Sequence, residues 1–437
     1  MTPNICGQAQ NCGPSPSMEA STLRRLLSIL IGFRELWQVR TFDCAHIPWA
    51  NGYPALAQAV RALDQTRIDA LERNHRVLVA TLLPALRTDS TRLDALQPKR
   101  PILAASDLLP ELPTRSAPPL LPDRVGRCQA GIKARKWEQI QGFLAGLPIG
   151  PHDRVLEWCA GLGHLGRLLA KAHGATVTSV DWDANLCRKG HARATALNLP
   201  QHFVCSDALG DACHLIPGHN HVLALHACGD LHRRLLELVS QERVRHITVA
   251  PCCYHKIRSE HHRFLSLTAQ VSAGQDAPLG SPNLTLERAD LKLAVAETVT
   301  ANARDKAWRT TEMRWRLGFD SLQRTIRGID SSLAVPNLRQ SQRSQGFPEF
   351  CRWAAAAKGL TLPDNLDFGI WERRGAQRQP LTRRLDLVAQ LFRRTLEHTL
   401  LLDLTVFLQE QGYTAQLDTF CNPAASPRHA RIRASQP

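Results

Sequence analysis

Two short segments of the chain concentrate the side chains most able to do chemistry. Residues 225–231 read Leu-His-Ala-Cys-Gly-Asp-Leu, and residues 251–255 read Pro-Cys-Cys-Tyr-His. Imidazole, carboxylate and thiol groups transfer protons, orient a reacting atom or bind a soft metal ion. Each segment follows a run of apolar residues typical of a buried strand. We therefore predict that both lie at strand ends and form a reaction centre.

Four side chains of these segments are the predicted catalytic residues. His226 is a candidate general base or a group that orients the nucleophile. Asp230 is placed either to hold that histidine or to cap the helix predicted from Leu231. We expect Tyr254 to stack on a planar acceptor and His255 to lie near the transferred group. The alternative for the second segment is a purely structural role of its tight Pro-Cys-Cys turn.

A metal site is the other interpretation of the same segments. Cys228, Cys252, Cys253 and His255 offer the thiolate and imidazole ligands that suit zinc, and His226 could complete the set. However, adjacent cysteines in an extended chain point to opposite sides, and the sequence has no Cys-x-x-Cys pair. We predict no metal and keep zinc as the alternative.

A glycine-rich segment precedes both strings and indicates a nucleotide-type cofactor. Residues 155–166 read Val-Leu-Glu-Trp-Cys-Ala-Gly-Leu-Gly-His-Leu-Gly. Gly161 and Gly163 let the backbone approach a ligand, and the N–H groups of the following helix face the same spot. Asp181, after the second strand, is placed to accept hydrogen bonds from two ribose hydroxyls. Asp207, after the third strand, is placed to meet an adenine amino group.

The glycine spacing alone fits two cofactors. Gly161, Gly163 and Gly166 match the dinucleotide pattern G-x-G-x-x-G. Glu157 adds the pattern E-x-x-x-G-x-G, which resembles motif I of class I S-adenosylmethionine-dependent methyltransferases and would set a carboxylate near the cofactor's ammonium group. We predict S-adenosylmethionine rather than NAD(P). The predicted cofactor-binding residues are Glu157, Cys159, Gly161, Gly163, His164, Asp181, Trp182, Asp207, Ala208 and His226.

The two Cys-His strings resemble the paired signatures of one methyltransferase domain family. That family includes bacterial methyltransferases, methyltransferase-like protein twenty-five, the ribosomal RNA adenine dimethylase domain-containing protein and the glutathione S-transferase C-terminal domain-containing protein. Residues 422–428, Asn-Pro-Ala-Ala-Ser-Pro-Arg, resemble a Ser-Pro-Arg segment near the end of the same domain. Residues 131–138 loosely resemble the basic helix at its start.

The resemblance implies a Rossmann-like fold, S-adenosylmethionine as donor and methyl transfer as the reaction. It covers residues 126–265 and the C-terminal hairpin, and it leaves the acceptor open. A more distant similarity, a Cys-Cys-His string at the same strand end, links the chain to tRNA ribose methyltransferases. We therefore expect an RNA acceptor, tRNA or rRNA. The alternatives are methylation of a protein or small molecule, or a catalytically inert module that binds the cofactor.

The order of elements supports an α/β fold with a parallel sheet. Short apolar strands alternate with helices between residues 154 and 250, as in doubly wound sheets. Two later strands, Tyr413–Phe420 and His429–Ala434, predict a hairpin that ends the sheet with an antiparallel edge. One long helix is predicted from Leu381 to Gln411, before that hairpin.

These elements divide the chain into six predicted parts. They are a disordered start (1–20), an N-terminal helical segment (21–95), a Pro-rich linker (96–125), the methyltransferase core (126–265), a helical and loop insertion (266–380), and the last helix with the hairpin (381–437).

Charge and composition bear on partners and location. The 437 residues include 54 Lys and Arg against 39 Asp and Glu, a formal net charge of +15. Such an excess favours a polyanion such as RNA, although an arginine-rich proteome gives the same balance. No run approaches the about 18 apolar residues of a membrane span. The 13 cysteines, spread over a long chain, indicate a reducing cytoplasm. No protein partner is predicted.

The densest basic clusters are candidates for phosphate contacts, with exposed helix surface as the alternative. We favour the surface alternative for Arg393 and Arg394. The clusters are Arg24-Arg25, Arg383-Arg384, Arg393-Arg394, and the terminal Arg428, Arg431 and Arg433.

Overall fold

The computed structural model describes residues 17–96, 101–114, 126–275, 283–296, 303–336, 338 and 343–437. Residues 1–16 of the expected disordered segment and half of the linker expected over 96–125 lie outside these ranges. Residues 18–20 belong to the first helix, so the disorder expected there is wrong. Ser17 is also within the described ranges and begins the first helix, because its Oγ accepts the Ala20 N–H at 3.1 Å.

Nine strands form two sheets in the described part of the chain. The strands are β1 (Arg154–Trp158), β2 (Thr176–Asp181), β3 (Gln201–Cys205), β4 (His221–Cys228), β5 (His246–Cys252), β6 (His261–His262), β7 (Leu286–Glu287), β8 (Thr414–Thr419) and β9 (Ala430–Ser435). The main sheet has the order β3-β2-β1-β4-β5-β9-β8, and β6 pairs with β7. β1 to β5 are mutually parallel, which confirms the predicted α/β class.

The predicted C-terminal hairpin, β8 and β9, forms and ends the sheet beside β5. β9 is antiparallel to both β5 and β8, so the antiparallel strand is one position inside the sheet. The edge is β8, which runs parallel to β5. The chain passes β8 first and then returns between β5 and β8, which the sequence of two strand-like segments does not specify.

The helices surround this sheet and extend it at both ends of the chain. They are α1 (Met18–Gly32), α2 (Arg34–Trp37), α3 (Pro54–Arg61), α4 (Gln65–Arg73), α5 (His75–Leu96), α6 (Ala105–Leu108), α7 (Ala134–Leu144), α8 (His164–His173), α9 (Ala184–Ala196), α10 (Asp230–Gln241), α11 (Leu267–Ala273), α12 (Arg288–Ala294), α13 (Ala303–Arg327), α14 (Gly346–Ala356), α15 (Phe368–Leu391) and α16 (Arg393–Glu410).

The long helix predicted from Leu381 to Gln411 is two helices, α15 and α16. The break falls at Phe392, whose φ of −90° and ψ of 0° leave helical geometry. Its fully buried ring lies 5.8 Å from the ring of Phe33 on the connection between α1 and α2. The chain thus bends at Phe392, where the ring packs into the core. The hydrophobic periodicity continues through this point, so it does not predict the break.

Both faces of the sheet are buried. Along β1, Val155 packs with α7 and α8, whereas Leu156 and Trp158 face the opposite core. That larger core includes α1, α3, α5 and α16, so the N-terminal helices share it with the sheet. A separate aromatic cluster joins α13, α14 and α15. The division of the chain into six parts stays a prediction.

None of the helices in the described part of the chain has the length and apolar character that a bilayer crossing requires.

Candidate functional site

The glycine turn between β1 and α8 has the backbone geometry of a ligand cradle. Cys159, Gly161 and Gly163 all have positive φ, at 56°, 59° and 63°. A Cβ on Gly163 would lie 2.3 Å from the Phe203 ring, so this glycine is needed for packing. A Cβ on Gly161 would meet no atom within 4 Å. The backbone at Gly161 therefore faces open space at the carboxyl edge of the sheet.

Asp181 fixes this turn from the end of the neighbouring strand. Its Oδ2 accepts the Gly161 N–H at 2.8 Å, and its Oδ1 accepts the Asp183 N–H at 3.1 Å. Each carboxylate oxygen keeps a lone pair for a further donor. Trp182 follows at once, with 78% of its surface exposed. The turn, the carboxylate and the exposed indole thus lie together, as the predicted cofactor site requires.

Asp207 and Ala208 follow β3 at the same edge. Asp207 is exposed, and its Oδ1 accepts the Leu209 N–H at 3.0 Å. Its other oxygen lies 3.8 Å from the Arg258 guanidinium. The carboxylate is therefore accessible to a ligand, whereas Ala208 is buried beside it.

Glu157 lies beneath the turn rather than on its surface. The carboxylate is 3% exposed, accepts the Ser179 hydroxyl at 2.6 Å and accepts the Gly166 N–H in the first turn of α8. It therefore supports the start of α8 from below, which differs from the expected contact with an ammonium group. Burial raises its pKa to about 7, although Ser179 and Gly166 act in the opposite direction.

The raised pKa predicts a pH dependence of stability that Glu157→Gln removes. Below the ordinary value of 4.5 the carboxyl is protonated in both the folded and unfolded states. Between there and pH 7 the folded state holds its proton while the unfolded state loses it, so the free energy of unfolding falls with pH. A shift of this size corresponds to about 3 kcal/mol.

We therefore expect the stability difference between E157Q and the natural chain to move by about 2.5 kcal/mol in favour of E157Q from pH 5 to pH 8. Urea unfolding at the two pH values measures it. The exposed Glu242→Gln controls for loss of one charge. An unchanged difference would mean that Glu157 is not held protonated by the fold.

His164 is the first residue of α8, and its side chain contacts Arg167 within the same helix. Its Nδ1 lies 3.0 Å from the guanidinium of Arg167, which also donates to the Leu162 carbonyl at 2.8 Å. Burial, and then the charge of Arg167, lower the pKa of His164 to about 4. This imidazole is neutral at pH 7 and stiffens the turn together with Arg167.

His226 is held by a residue that the sequence analysis missed. Its Nε2 lies 2.7 Å from Oε1 of Gln139 on α7, and Gln139 Nε2 donates to the Ala425 carbonyl at 3.1 Å. The second bond fixes the amide orientation, so His226 Nε2 carries the proton and Nδ1 is the acceptor. Burial, and then the charge of Lys136, lower the pKa of His226 to about 4.

Asp230 does not hold His226. Its Oδ2 accepts the Arg258 N–H at 2.6 Å, and its Oδ1 lies 3.3 Å from the Arg233 guanidinium. It is the first residue of α10, which begins after Gly229. Asp230 therefore joins the start of α10 to the chain beyond β5. The predicted helix cap is also wrong, because the N-cap position is Gly229 and no side chain caps this helix.

Tyr254 is placed in the core, which does not support its expected stacking on an acceptor. The ring is 3% exposed and packs edge-on against His232, with 5.9 Å between the ring centroids. His255 is half-buried, and its Nδ1 has no hydrogen-bond partner in the described part of the chain. The two predicted catalytic histidines, His226 and His255, are both partly exposed, although the His255 Nδ1 atom itself is buried.

Three of the four predicted metal-ligand candidates come together. The Sγ atoms of Cys228, Cys252 and Cys253 all lie within 4.8 Å of one another, and those of Cys228 and Cys252 are 3.5 Å apart. His255 is not part of this group. The cluster lies beside His226, because Cys228 Sγ is 3.6 Å from the His226 carbonyl.

The basic helix α7 contributes two groups that the catalytic prediction lacked. Gln139 positions His226, and the charge of Lys136 acts on Glu157, His226 and Cys252. The segment around them was noticed only through its loose resemblance. Spacing within one element does not reveal contacts to a strand about 90 residues away in sequence.

Most of the dense basic clusters are internal ion pairs rather than phosphate sites. Arg431 and Arg433 both pair with Asp418, at 2.9 and 2.6 Å, and Arg431 is 2% exposed. Arg383 pairs with Glu72 at 2.6 Å. Their charges are used to hold helices and strands together, so these clusters do not support the expected RNA contacts.

The surface role expected for Arg393 and Arg394 is wrong for Arg393, which is buried in α16. Arg394 pairs with Glu397 at 2.7 Å. Arg428 of the Ser-Pro-Arg segment donates to the Val295 carbonyl and so ties that segment to α12.

Comparison with known proteins identifies the central part of the chain. Residues 135–260 match a family model described as a methyltransferase domain. No curated protein matches the chain significantly. The matched range includes the glycine turn, Asp181, His226 and the three clustered cysteines.

The chain also matches solved structures at low sequence identity. The YcgJ protein of Bacillus subtilis is 13% identical over 26% of this chain and 50% of its own, with a TM-score of 0.23. A geranyl diphosphate methyltransferase in complex with S-adenosylmethionine is 17% identical over 26% and 48%, with a TM-score of 0.23. A Pyrococcus abyssi tRNA (uracil-54, C5)-methyltransferase is 17% identical over 32% and 29%, with a TM-score of 0.21.

The chain thus spans half or less of the length of each of these structures. The family match over residues 135–260 supports the predicted enzyme class, because this part of the chain is similar to methyltransferase domains.

Proposed function

We propose that the protein transfers the methyl group of S-adenosylmethionine to an N–H or O–H group of RNA, with His226 as the proton acceptor. The observation that carries the proposal is the 2.7 Å contact between His226 Nε2 and Gln139 Oε1, from which the tautomer of His226 follows. Gln139 accepts the hydrogen bond from His226 Nε2–H, which leaves His226 Nδ1 as the acceptor. His226 lies at the carboxyl edge of the sheet, the same edge as the glycine turn.

The residues of the glycine turn fit the cofactor. Gly161 offers backbone that no side chain covers, and Asp181 offers two oxygens at the position where a ribose would bind. The exposed Trp182 offers an apolar surface next to that carboxylate. Glu157 has no free face toward this space, so the cofactor's ammonium group would be bound by other groups.

The proposed reaction needs orientation and one proton transfer. S-adenosylmethionine supplies a methyl group already activated by its sulfonium charge, so alignment of the acceptor dominates the rate. The acceptor atom forms its bond to the methyl group while its own proton passes to Nδ1 of His226. Burial lowers the pKa of His226 to about 4, so the imidazole is neutral at pH 7 and has a lone pair at Nδ1. The same shift makes it a weak base, so proton transfer depends on the acceptor becoming more acidic as its bond to the methyl group forms.

Exposed cations around this edge support an RNA acceptor. Lys133 and Arg135 precede and begin α7, the helix that positions His226. Lys256 and Arg258 follow β5 beside the cysteine cluster, and Lys292 lies on α12. All five side chains are exposed, and such a rim attracts a phosphate backbone. The RNA acceptor is thus supported by these five residues and not by the paired arginine clusters.

Labelled methyl transfer tests the acceptor. The full chain is incubated with tritium-labelled S-adenosylmethionine and with RNA or protein fractions from cells that lack the gene. We expect label in RNA, and His226→Asn should lower its incorporation at least tenfold while binding of S-adenosylhomocysteine persists. His214→Asn, at an exposed histidine, is the matched control.

Label confined to the protein fraction would overturn the RNA acceptor. Absence of S-adenosylhomocysteine binding by the folded natural chain would overturn methyl transfer itself.

A further inference from the structure

We propose that Cys228, Cys252 and Cys253 form a binding site for one Zn²⁺ ion, with a fourth position open to water. The site lies at the carboxyl ends of β4 and β5, next to His226. The inference stands on the arrangement of the three thiols and does not depend on the methyl acceptor.

An irregularity in the sheet brings Cys228 beside Cys252. Leu225 pairs with Ala250, and the next pair is Cys228 with Cys252. β4 therefore advances three residues between these two pairs while β5 advances two. The extra residue of β4 forms a bulge at His226, whose φ is +68°. Without this bulge the side chain of Cys228 would lie out of register with that of Cys252.

A left-handed residue brings Cys253 to the same side. The objection to a metal site was that neighbouring cysteines of an extended chain point apart. β5 ends at Cys252, and Cys253 has a φ of +47°. A non-glycine residue in that conformation costs about 1–3 kcal/mol of backbone strain, and it persists only where the surrounding structure compensates. The turn that results places the Cys253 sulfur with the other two.

Three backbone hydrogen bonds also hold this turn in place. The Gly229 N–H donates to the Cys252 carbonyl at 3.0 Å, and the Asp230 N–H donates to the Lys256 carbonyl at 3.1 Å. The Lys256 N–H in turn donates to the Cys253 carbonyl at 2.8 Å. The backbone that carries the three sulfurs is thus held on both strands, which is the preorganisation that a metal site requires.

The sulfur separations match tetrahedral zinc. Zn–S bonds of about 2.3 Å at tetrahedral angles place the sulfurs about 3.8 Å apart. Here one pair is 3.5 Å apart and all three lie within 4.8 Å. Thiolates are soft ligands and favour Zn²⁺ over Mg²⁺ or Ca²⁺.

The ligand set leaves one coordination position free. No His, Asp or Glu ligand atom in the described part of the chain joins the three sulfurs within the same radius. Three protein ligands and an open position are typical of zinc sites that bind water or a substrate. Three thiolates and Zn²⁺ carry one net negative charge, which Lys136 and the exposed Lys256 lie close enough to offset.

A disulfide between Cys228 and Cys252 is the competing use of the same atoms. Their Sγ separation of 3.5 Å would have to shorten to about 2.05 Å, with loss of two electrons to an oxidant. Such a bond would leave Cys253 without a role. The third sulfur in the cluster therefore favours the metal.

Metal analysis of the full chain tests the proposal. The protein is purified in the presence of a phosphine reductant that contains no thiol, stripped with a chelator that is then removed, and titrated with Zn²⁺ against a chromophoric competitor. We expect one Zn²⁺ per chain. Co²⁺ in its place should give the near-ultraviolet thiolate-to-metal absorption that distinguishes sulfur ligands from adventitious surface binding.

Single variants assign the site to these sulfurs. Cys228→Ser, Cys252→Ser and Cys253→Ser should each lower Zn²⁺ affinity at least 100-fold, whereas the exposed Cys213→Ser should not. Circular dichroism checks that each variant is folded, and the Co²⁺ spectrum of the natural chain decides if they are not. Less than about 0.1 equivalent of metal after reconstitution, or a Co²⁺ spectrum without thiolate absorption, would overturn the proposal.

Discussion

Gly229→Ala is expected to destabilise the fold by about 4 kcal/mol, which is among the largest effects of a single methyl group. Gly229 has a φ of 56° and a ψ of −123°, a combination that side chains disfavour. A Cβ there would also lie 2.1 Å from the Lys256 carbonyl oxygen. That oxygen is backbone and already accepts the Asp230 N–H, so it has little freedom to move away.

The matched control is Gly328→Ala. Gly328 has a φ of 63°, and a Cβ on it would meet no atom within 4 Å. The substitution therefore carries the conformational cost alone, about 1 kcal/mol. Urea unfolding of both variants compares the two. Equal losses of stability would show that the loop after β5 can move away from a Cβ at Gly229.

This position also illustrates what the sequence could reveal of the site. Spacing of apolar runs predicted β1 to β5, and the rule that parallel strands share a carboxyl edge brought residues 225–231 and 251–255 together. Both inferences depend on local periodicity. The bulge at His226 and the turn at Cys253 depend on contacts between strands, so the prediction that adjacent cysteines point apart failed there.

The residues missed by sequence reasoning all act on site residues that are distant from them in sequence. Gln139 acts on His226, and Ser179 acts on Glu157, across 87 and 22 residues of chain. Neither residue type is conspicuous on its own, since exposed glutamine and serine are common. For Arg431 the error was the opposite one. Its position in a cluster of arginines suggested an exposed phosphate contact, but the side chain is buried and donates to Asp418.

Asp181→Ala is expected to lower the affinity for S-adenosylhomocysteine on the order of 100-fold. The carboxylate is the predicted acceptor for two ribose hydroxyls, and each hydrogen bond to a charged group contributes about 1.5–3 kcal/mol. Its Oδ2 also holds the Gly161 N–H at 2.8 Å, so the turn loses its link to β2. Calorimetric titration with the product measures the affinity without turnover.

Asp183→Ala separates this role from general damage at the same edge. Asp183 caps α9 by accepting the N–H groups of Asn185 and Leu186 at 2.8 and 3.1 Å. Its loss costs about 1 kcal/mol of stability. We expect cofactor affinity in D183A to stay within about threefold of the natural value, since 1.4 kcal/mol would be tenfold. Affinity that falls equally in both variants would mean that Asp181 acts by supporting the fold and does not contact the ribose.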